Sequence, residues 1–385
     1  MTAGAAVTAA AFLDEAHVEC ASAIARWTRD HLLQREEPRA DEEARREARA
    51  LVGELGSAGW FSAIARQDLR TLSLVRDAVA AASPLADAVL ALQALGGTPI
   101  VLAGSARQRD EWLAPIVGGR AMAAFAMTEP DAGSDVAAMH TAARRDGADW
   151  VLDGEKHLIS NAGLADVYVV FAVTSPGEGS RGISAFLVPA DARGLAFAGA
   201  QTMAAAHPLG RLRFDGCRVG GDALLGEVNR GFTLGMTTLD RLRPTVGAAA
   251  CGMAARALDE AIARAATRRQ FGRPLGDLQI IREKLGRMAT ELQASRLLVY
   301  YAAWLKDRGA DRITVEAAMA KSYATEAAQR IIDDAVQIMG GAGVLLGNPV
   351  ERLYRAVRAL RIYEGATEVQ RLIVGAALLK DGAEV

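Results

Sequence analysis

The stretch Arg361-Ile362-Tyr363-Glu364-Gly365-Ala366-Thr367-Glu368-Val369-Gln370 sets a carboxylate between an aromatic ring and a glycine in an otherwise apolar C-terminal helical region. Taking a carboxylate partly out of water disfavours the anion and raises its pKa toward the working range of a base. Glu364 is therefore the candidate general base, against the plainer reading of a helix-start Glu beside a breaking Gly. A second candidate is Met127-Thr128-Glu129-Pro130-Asp131-Ala132-Gly133-Ser134-Asp135, which follows a strand pattern. Its backbone N–H groups and two hydroxyls at a turn containing Gly133 could grip a planar heteroaromatic ring and nearby phosphates. An Asx-type turn with Pro130 at the corner would use the same residues. Gly341-Ala342-Gly343 could open a dinucleotide fingerprint, but it follows a helical pattern where that motif needs a strand.

With Arg268-Arg269-Gln270-Phe271-Gly272 and Gln337-Ile338-Met339-Gly340-Gly341-Ala342-Gly343 added, the chain carries four separated motifs in register. Together they resemble the signatures of the acyl-CoA dehydrogenase family, over roughly Leu51 to Leu379. The resemblance implies FAD as cofactor, with Phe125, Met127 and Thr128 against the flavin and Ser134 near FAD or the CoA chain. Ser160 falls where a hydroxyl bonds flavin N5, and Leu158 stands where most members have Trp, which removes aromatic cover from the ring edge. Arg268 and Phe271 match the diphosphate-binding loop, where a guanidinium can pair bidentately with pyrophosphate oxygens. Gln337 and Gly341 complete a set that in the family reaches the FAD of a neighbouring subunit. Thr367 and Glu368 match further FAD contacts, and Ala366 stands where Thr is common. Asp240, Arg243 and Gly365, with Ser134, match the acyl-CoA site. Some relatives carry the base on the helix that opens Asp240-Arg241-Leu242-Arg243, but Leu242 takes no proton, which leaves Glu364.

Two histidines stay open. Strand alternation sends His157 to the face opposite Leu158 and makes it a surface or subunit-contact residue. His207, in His207-Pro208-Leu209-Gly210, replaces a usual Ser and reads either as a pocket-lining residue or as part of a β-turn cornered by Pro208.

The implied activity is FAD-dependent α,β-dehydrogenation of an acyl-CoA to a trans-2-enoyl-CoA, with electrons passing to an electron-transfer flavoprotein. The implied assembly is a homo-oligomer, a tetramer built from dimers. Alternatives on the same scaffold are an acyl-CoA oxidase, opened by Leu158, an acyl-carrier-protein-linked dehydrogenase, and a non-catalytic flavin- or DNA-binding relative. The acyl group itself is not legible.

The elements that must position these residues follow from texture. From Ala9 to Gly119 the pattern is Ala-rich and helical, with breaks at Pro38, Gly59, Pro84 and Gly96-Gly97. The charged run Arg35 to Arg49 reads as a solvated helix face. Seven strand-like runs then follow: Met122–Thr128, Ala138–Arg144, Trp150–Ile159, Val167–Thr174, Ile183–Pro189, Leu195–Thr202 and Leu209–Val219. Helices return over Gly231–Thr267, Asp277–Arg308, Thr314–Met339 and a final pair around Val350–Leu379. The pattern alone gives an α+β fold. The resemblance refines it to an N-terminal helical domain (1–120), a middle antiparallel β-domain (121–226) and a C-terminal four-helix bundle (227–385).

With 51% hydrophobic residues in 385, the chain can bury a sizeable core, and a net charge of -2 gives no electrostatic reason to expect nucleic acid. Cys20, Cys217 and Cys251 are too few and too scattered for a disulfide framework or a metal set and read as reduced thiols. The start Met1–Val7 lacks a cationic region, and Ala88 to Ala103, interrupted by Gln93, Gly96, Gly97 and Pro99, falls short of a membrane span. The expectation is a cytoplasmic protein.

Overall fold

The computed structural model describes residues 9–381, so the Met1–Val7 stretch lies outside the described residues. The chain divides into two compact units. One comprises the residues up to Glu36, Asp68–Asp87 and Asp240 onward, and the other Glu37–Gln67 and Ala88–Leu239.

The second unit is built on a seven-stranded sheet. Its strands are β1 (Ala123–Ala126), β2 (Ala142–Asp146), β3 (Asp149–Ser160), β4 (Val167–Val173), β5 (Ile183–Pro189), β6 (Leu195–Ala200) and β7 (Leu209–Val219). The order is β1-β4-β2-β3-β7-β6, with β5 paired to β4. Most pairings are antiparallel, as expected, but β1 and β2 both run parallel to β4. β4 and β5 read as continuous apolar runs because both are buried along nearly their whole length. Val167, Val169, Phe171, Ile183, Ala185 and Leu187 form a core with Ile100, Ile116 and Met127.

Two expectations for the helical first third are corrected. Gly96 and Gly97 do not break a helix, because Pro84–Ala103 is continuous through them. A Cβ on Gly96 would lie 2.3 Å from the Ala123 Cβ, and one on Gly97 2.9 Å from the Ile64 side chain. The pair is there for close packing against β1 and the Ser62–Arg66 turn of helix. That helix is also long and apolar enough, by length and composition, to cross a membrane, contrary to the reading above, although 83% of its most apolar window is buried in protein.

The charged run is solvated along most of its length, as expected, with an exception at Arg45. Helix Asp41–Ser57 opens on three acids, which suits its N-terminal dipole, but its basic face is not simply solvated. Arg45 donates to the carbonyls of Ala162 (2.7 Å) and Leu209 (3.0 Å), and Arg49 pairs with Asp166 at 2.6 Å.

The first unit is helical: Glu15–His31, Leu69–Ala82, the later part of Gly231–Thr267, Gln279–Asp307, Thr314–Met339, Pro349–Leu360 and Thr367–Asp381. Small residues set its close crossings. A Cβ on Gly252 would fall 1.9 Å from the Asp77 carbonyl oxygen, and one on Gly247 2.7 Å from Val299. Buried ion pairs cross-link the helices, with Arg296 on Asp77 at 2.9 Å and Arg70 on Asp307 at 2.9 Å. The fold is thus helical N- and C-terminal regions flanking a β-module in sequence, which is the expected α+β class.

Candidate active site

Glu364 lies in the turn between helices Pro349–Leu360 and Thr367–Asp381, and the backbone there is left-handed, with φ 56° at Glu364 and 97° at Gly365. A non-glycine residue in that region needs support from its surroundings. The support is two buried cations on consecutive carbonyls. Arg243 Nε donates to the Glu364 oxygen at 3.1 Å, and Lys321 Nζ donates to the Gly365 oxygen at 2.7 Å. Arg243 is itself held by Asp240 at 2.5 Å, and Asp240 accepts the Thr314 hydroxyl at 2.7 Å. A Cβ at Gly365 would displace the Gln370 amide, 2.3 Å away, and the φ of 97° would strain any other residue there.

The residue Glu364 is partly buried, but its Oε2 is sealed from solvent and has no hydrogen-bond partner among the described residues. Burial raises its carboxyl above the ordinary carboxylate range, with Arg76, Lys321 and Arg243 pulling the other way. Those cations direct their N–H groups elsewhere. Arg76 is committed to Asp87 (2.8 and 2.9 Å) and to Thr245 (2.9 Å). Lys321 is pushed down to about 8 by burial, partly offset by Glu364. The Glu364 N–H makes no hydrogen bond among the described residues. The turn therefore offers a poorly solvated carboxylate and a free backbone donor side by side, the two groups that proton abstraction beside a carbonyl requires.

In the β-module, β1 and the end of β3 run alongside one another. His157 N–H donates to the Thr128 oxygen at 2.9 Å, and the Asn161 amide donates to the Ala123 oxygen at 3.1 Å. This brings Phe125, Met127 and Thr128 beside 157–161. Phe125 rests on Phe171 with ring centroids 4.8 Å apart, and Met127 belongs to the core. Ser134 is exposed on the loop beyond.

Alternation fails at His157-Leu158, correcting the basis on which His157 was placed. The β3–β7 register shifts between Lys156 and Ile159, and Leu158 takes a φ of 54°. Leu158 is left 51% exposed with its N–H on the Gln201 side chain, and His157 bonds the same Gln201. Ser160 Oγ lies 2.6 Å from His207 Nε2. Burial pushes the His207 imidazole down to about 4, so the ring is neutral.

The other candidates belong to the helical unit, most of them at its surface. Arg268 opens a two-stranded hairpin, β8 (Arg269–Gln270) and β9 (Arg273–Pro274), whose turn residues Phe271 and Gly272 are left-handed at φ 51° and 77°. Phe271 is held outward, 88% exposed. Gln337 and Gly341 are exposed where helix Thr314–Met339 passes into a short 3-10 turn, and no strand precedes them, so the Rossmann alternative fails. Thr367 is buried and donates its N–H to the Arg361 oxygen, while Glu368 is exposed beside it. Among the described residues the side chains of Thr128, Ser134, Arg268 and Gln337 have no hydrogen-bond partner. Taken unit by unit, the free hydroxyls of the β-module and the guanidinium, amide and outward ring of the helical unit are groups of the kind that bind the phosphates and rings of a flavin dinucleotide.

Sequence reasoning gave no role to Lys156 or Lys321. Lys156 is fully buried, 2.8 Å from Glu129 and 2.9 Å from the Met127 oxygen, and it braces the loop that carries Thr128. A lysine flanked by apolar residues on one face of a strand or helix was the available signal. His17, Asp68 and Asp307 have ligand-type atoms within 4.8 Å of one another, but Asp307 accepts from Leu69, Arg70 and the Arg70 guanidinium, and Asp68 caps Thr71. They form a helix-joining network.

Comparison with known proteins gives an independent reading. The family models "Acyl-CoA dehydrogenase, middle domain" and "Acyl-CoA dehydrogenase, C-terminal domain" match residues 124–217 and 229–379. The chain is 37% identical over 378 residues to the probable acyl-CoA dehydrogenase FadE25 of Mycobacterium tuberculosis, covering 96% of each chain. Among solved structures, it matches butyryl-CoA dehydrogenase from Megasphaera elsdenii with TM-score 0.89 and 32% identity, over 96% of this chain and 99% of that one. A glutaryl-CoA dehydrogenase from Mycobacterium smegmatis in complex with FADH2 matches with TM-score 0.87 and 28% identity, over 97% of each chain.

Proposed function

This chain belongs to the acyl-CoA dehydrogenase family, and we propose that within it Glu364 is the base that removes the α-proton of an acyl-CoA thioester. It is an FAD-dependent oxidoreductase acting on an acyl-CoA. When bound, FAD supplies the acceptor for the β-hydrogen, which leaves as hydride, and the product is a trans-2-enoyl thioester. The observation that carries the assignment is the partnerless Glu364 Oε2 in a turn whose two carbonyls are held by Arg243 and Lys321. Its free N–H would donate to the thioester oxygen as negative charge develops there. Two other carboxylates that could be considered for the base are occupied: Asp240 by Arg243 and Thr314, and Glu129 by Lys156.

For the cofactor, Phe125, Met127, Thr128, Leu158 and Ser160 would line the flavin, with Ser160 at N5. Arg268, Phe271, Gln337 and Gly341 would hold the rest from a second subunit, with Thr367 and Glu368 adding contacts, and Ser134, Asp240, Arg243 and Gly365 would serve the acyl-CoA. The outward Phe271 and the exposed apolar run Val344-Leu345-Leu346 support a homo-oligomer, a tetramer by family pattern. A screen of acyl-CoAs scored by anaerobic bleaching of the bound flavin tests the assignment and names the substrate. No bleaching by any thioester would sink it.

The electron acceptor is proposed to be an electron-transfer flavoprotein. The exposed Leu158, with no aromatic cover, favours one second reading, an oxidase on the same scaffold. Reoxidation of the bleached flavin by air within one turnover time would establish the oxidase, and slow reoxidation the dehydrogenase.

A further inference from the structure

The contact between Ser160 and His207 joins residues 47 apart in sequence, and the backbone on both sides of it is pinned. The β3–β7 register pairs Ser160 with Leu209, and Asn161 N–H donates to the Pro208 oxygen at 2.9 Å. Arg45 bridges the same two segments through Ala162 and Leu209. Pro208 fixes its own φ beside the histidine. The 2.6 Å Oγ–Nε2 separation is therefore held by four neighbouring constraints, not by two free side chains.

A neutral imidazole has one N–H and one bare nitrogen, whereas a serine hydroxyl has a single hydrogen to give. If the imidazole received that hydrogen, none would remain for another acceptor. If Nε2–H donates to Oγ, the hydroxyl hydrogen is free to point onward, and accepting one bond strengthens the one it donates.

We propose that His207 is a positioning residue for Ser160, fixing the hydroxyl through an Nε2–H···Oγ bond so that its hydrogen faces N5 of the bound flavin. The proposal rests on the placement of Ser160 at the flavin given above. His207 acts only through Ser160 and touches neither substrate nor cofactor.

The test uses the FAD-loaded protein labelled with nitrogen-15 at its five histidines. The expected result is a His207 with Nε2 protonated and Nδ1 bare, whose Nε2 resonance moves in Ser160→Ala. In anaerobic single turnovers with the best acyl-CoA, His207→Ala and Ser160→Ala should each slow flavin reduction about 2- to 10-fold, the effect of one hydrogen bond. The double variant should be no slower than the slower single, because both remove the same bond. His207→Gln, which keeps an N–H donor, should recover part of the rate. A bare Nε2, a resonance indifferent to Ser160→Ala, or slowing that multiplies in the double variant would overturn the proposal. If the resonance responds but Ser160→Ala alters neither the visible flavin spectrum nor the reduction rate, the placement of Ser160 at the flavin has failed and the hydrogen bond stands without it.

Discussion

Glu129 in the β-module and Glu364 in the C-terminal turn are both carboxylates drawn out of water near buried cations, yet their acidities move in opposite directions. Glu129 accepts from Lys156 at 2.8 Å and from the backbone N–H groups of His140 (2.6 Å) and Thr141 (3.0 Å). Burial would raise its pKa, but the Lys156 charge and these hydrogen bonds hold it below the ordinary value. Glu364 has three cations within electrostatic reach, and none of them donates a hydrogen bond to its carboxylate. Its Oε2 is left bare and its pKa rises. Proximity of positive charge does not decide whether a buried carboxylate is a strut or a base. Direct hydrogen bonds to the anion do, because they replace the lost water.

The strongest way to break this contrast is Glu364→Gln. It keeps the shape of the side chain but removes the base, and flavin reduction by acyl-CoA should fall by about 10²- to 10⁴-fold while FAD and acyl-CoA still bind. Reduction at near wild-type rate would place the base elsewhere. Glu129→Gln should do the opposite. It leaves Lys156 buried without its counter-charge, so denaturant unfolding should show a loss of about 3–5 kcal/mol. Its flavin reduction should fall far less than that of Glu364→Gln, and a larger fall would make Glu129 part of the chemistry.

Lys321→Met sharpens the account of Glu364. Removing a nearby cation disfavours the carboxylate anion further, so the pH profile of flavin reduction should shift to higher pH. A shift of one unit would correspond to about a tenfold slower reduction below the profile's midpoint. An unmoved profile would show that Lys321 only braces the turn.

The smallest effect is on the pH dependence of stability. A carboxyl whose folded pKa is raised is protonated in both states below its ordinary value, and folding is penalised as pH rises from there through the folded pKa. Glu364→Gln should therefore melt at nearly the wild-type temperature in acid and progressively above it as pH rises toward neutral, by a few degrees. For Glu129 the sign reverses. Its depressed pKa gives stability that is present above the ordinary value and lost as pH falls through the folded one, so the gap between Glu129→Gln and wild type should narrow in acid.

Much of the architecture was decided locally. Strands such as Ile183–Pro189 and Leu209–Val219, and helices Gly231–Thr267 and Thr314–Met339, have the bounds that alternation, periodicity and turn residues give them. The four motifs, and Glu364 beside Gly365, are likewise contiguous in sequence, so they could be read without the fold. What tertiary structure alone decided depends on contacts between residues far apart in the chain. Gly96 and Gly97 look like helix breakers until Ala123 and Ile64 are seen to occupy the space their side chains would fill. Leu158 looks like one step in an alternating strand until its pairing with β7 slips and turns the backbone left-handed. Arg45 looks solvated until the carbonyls of Ala162 and Leu209 arrive. Sequence could make Glu364 a candidate, since burial near an aromatic and a glycine was expected. That its carboxylate would be left without a donor while Arg76, Arg243 and Lys321 stood nearby was fixed only by where Asp87, Asp240 and two backbone carbonyls came to rest. A pKa is set by the competition among all donors and acceptors at a site, and that competition exists only once the chain has folded.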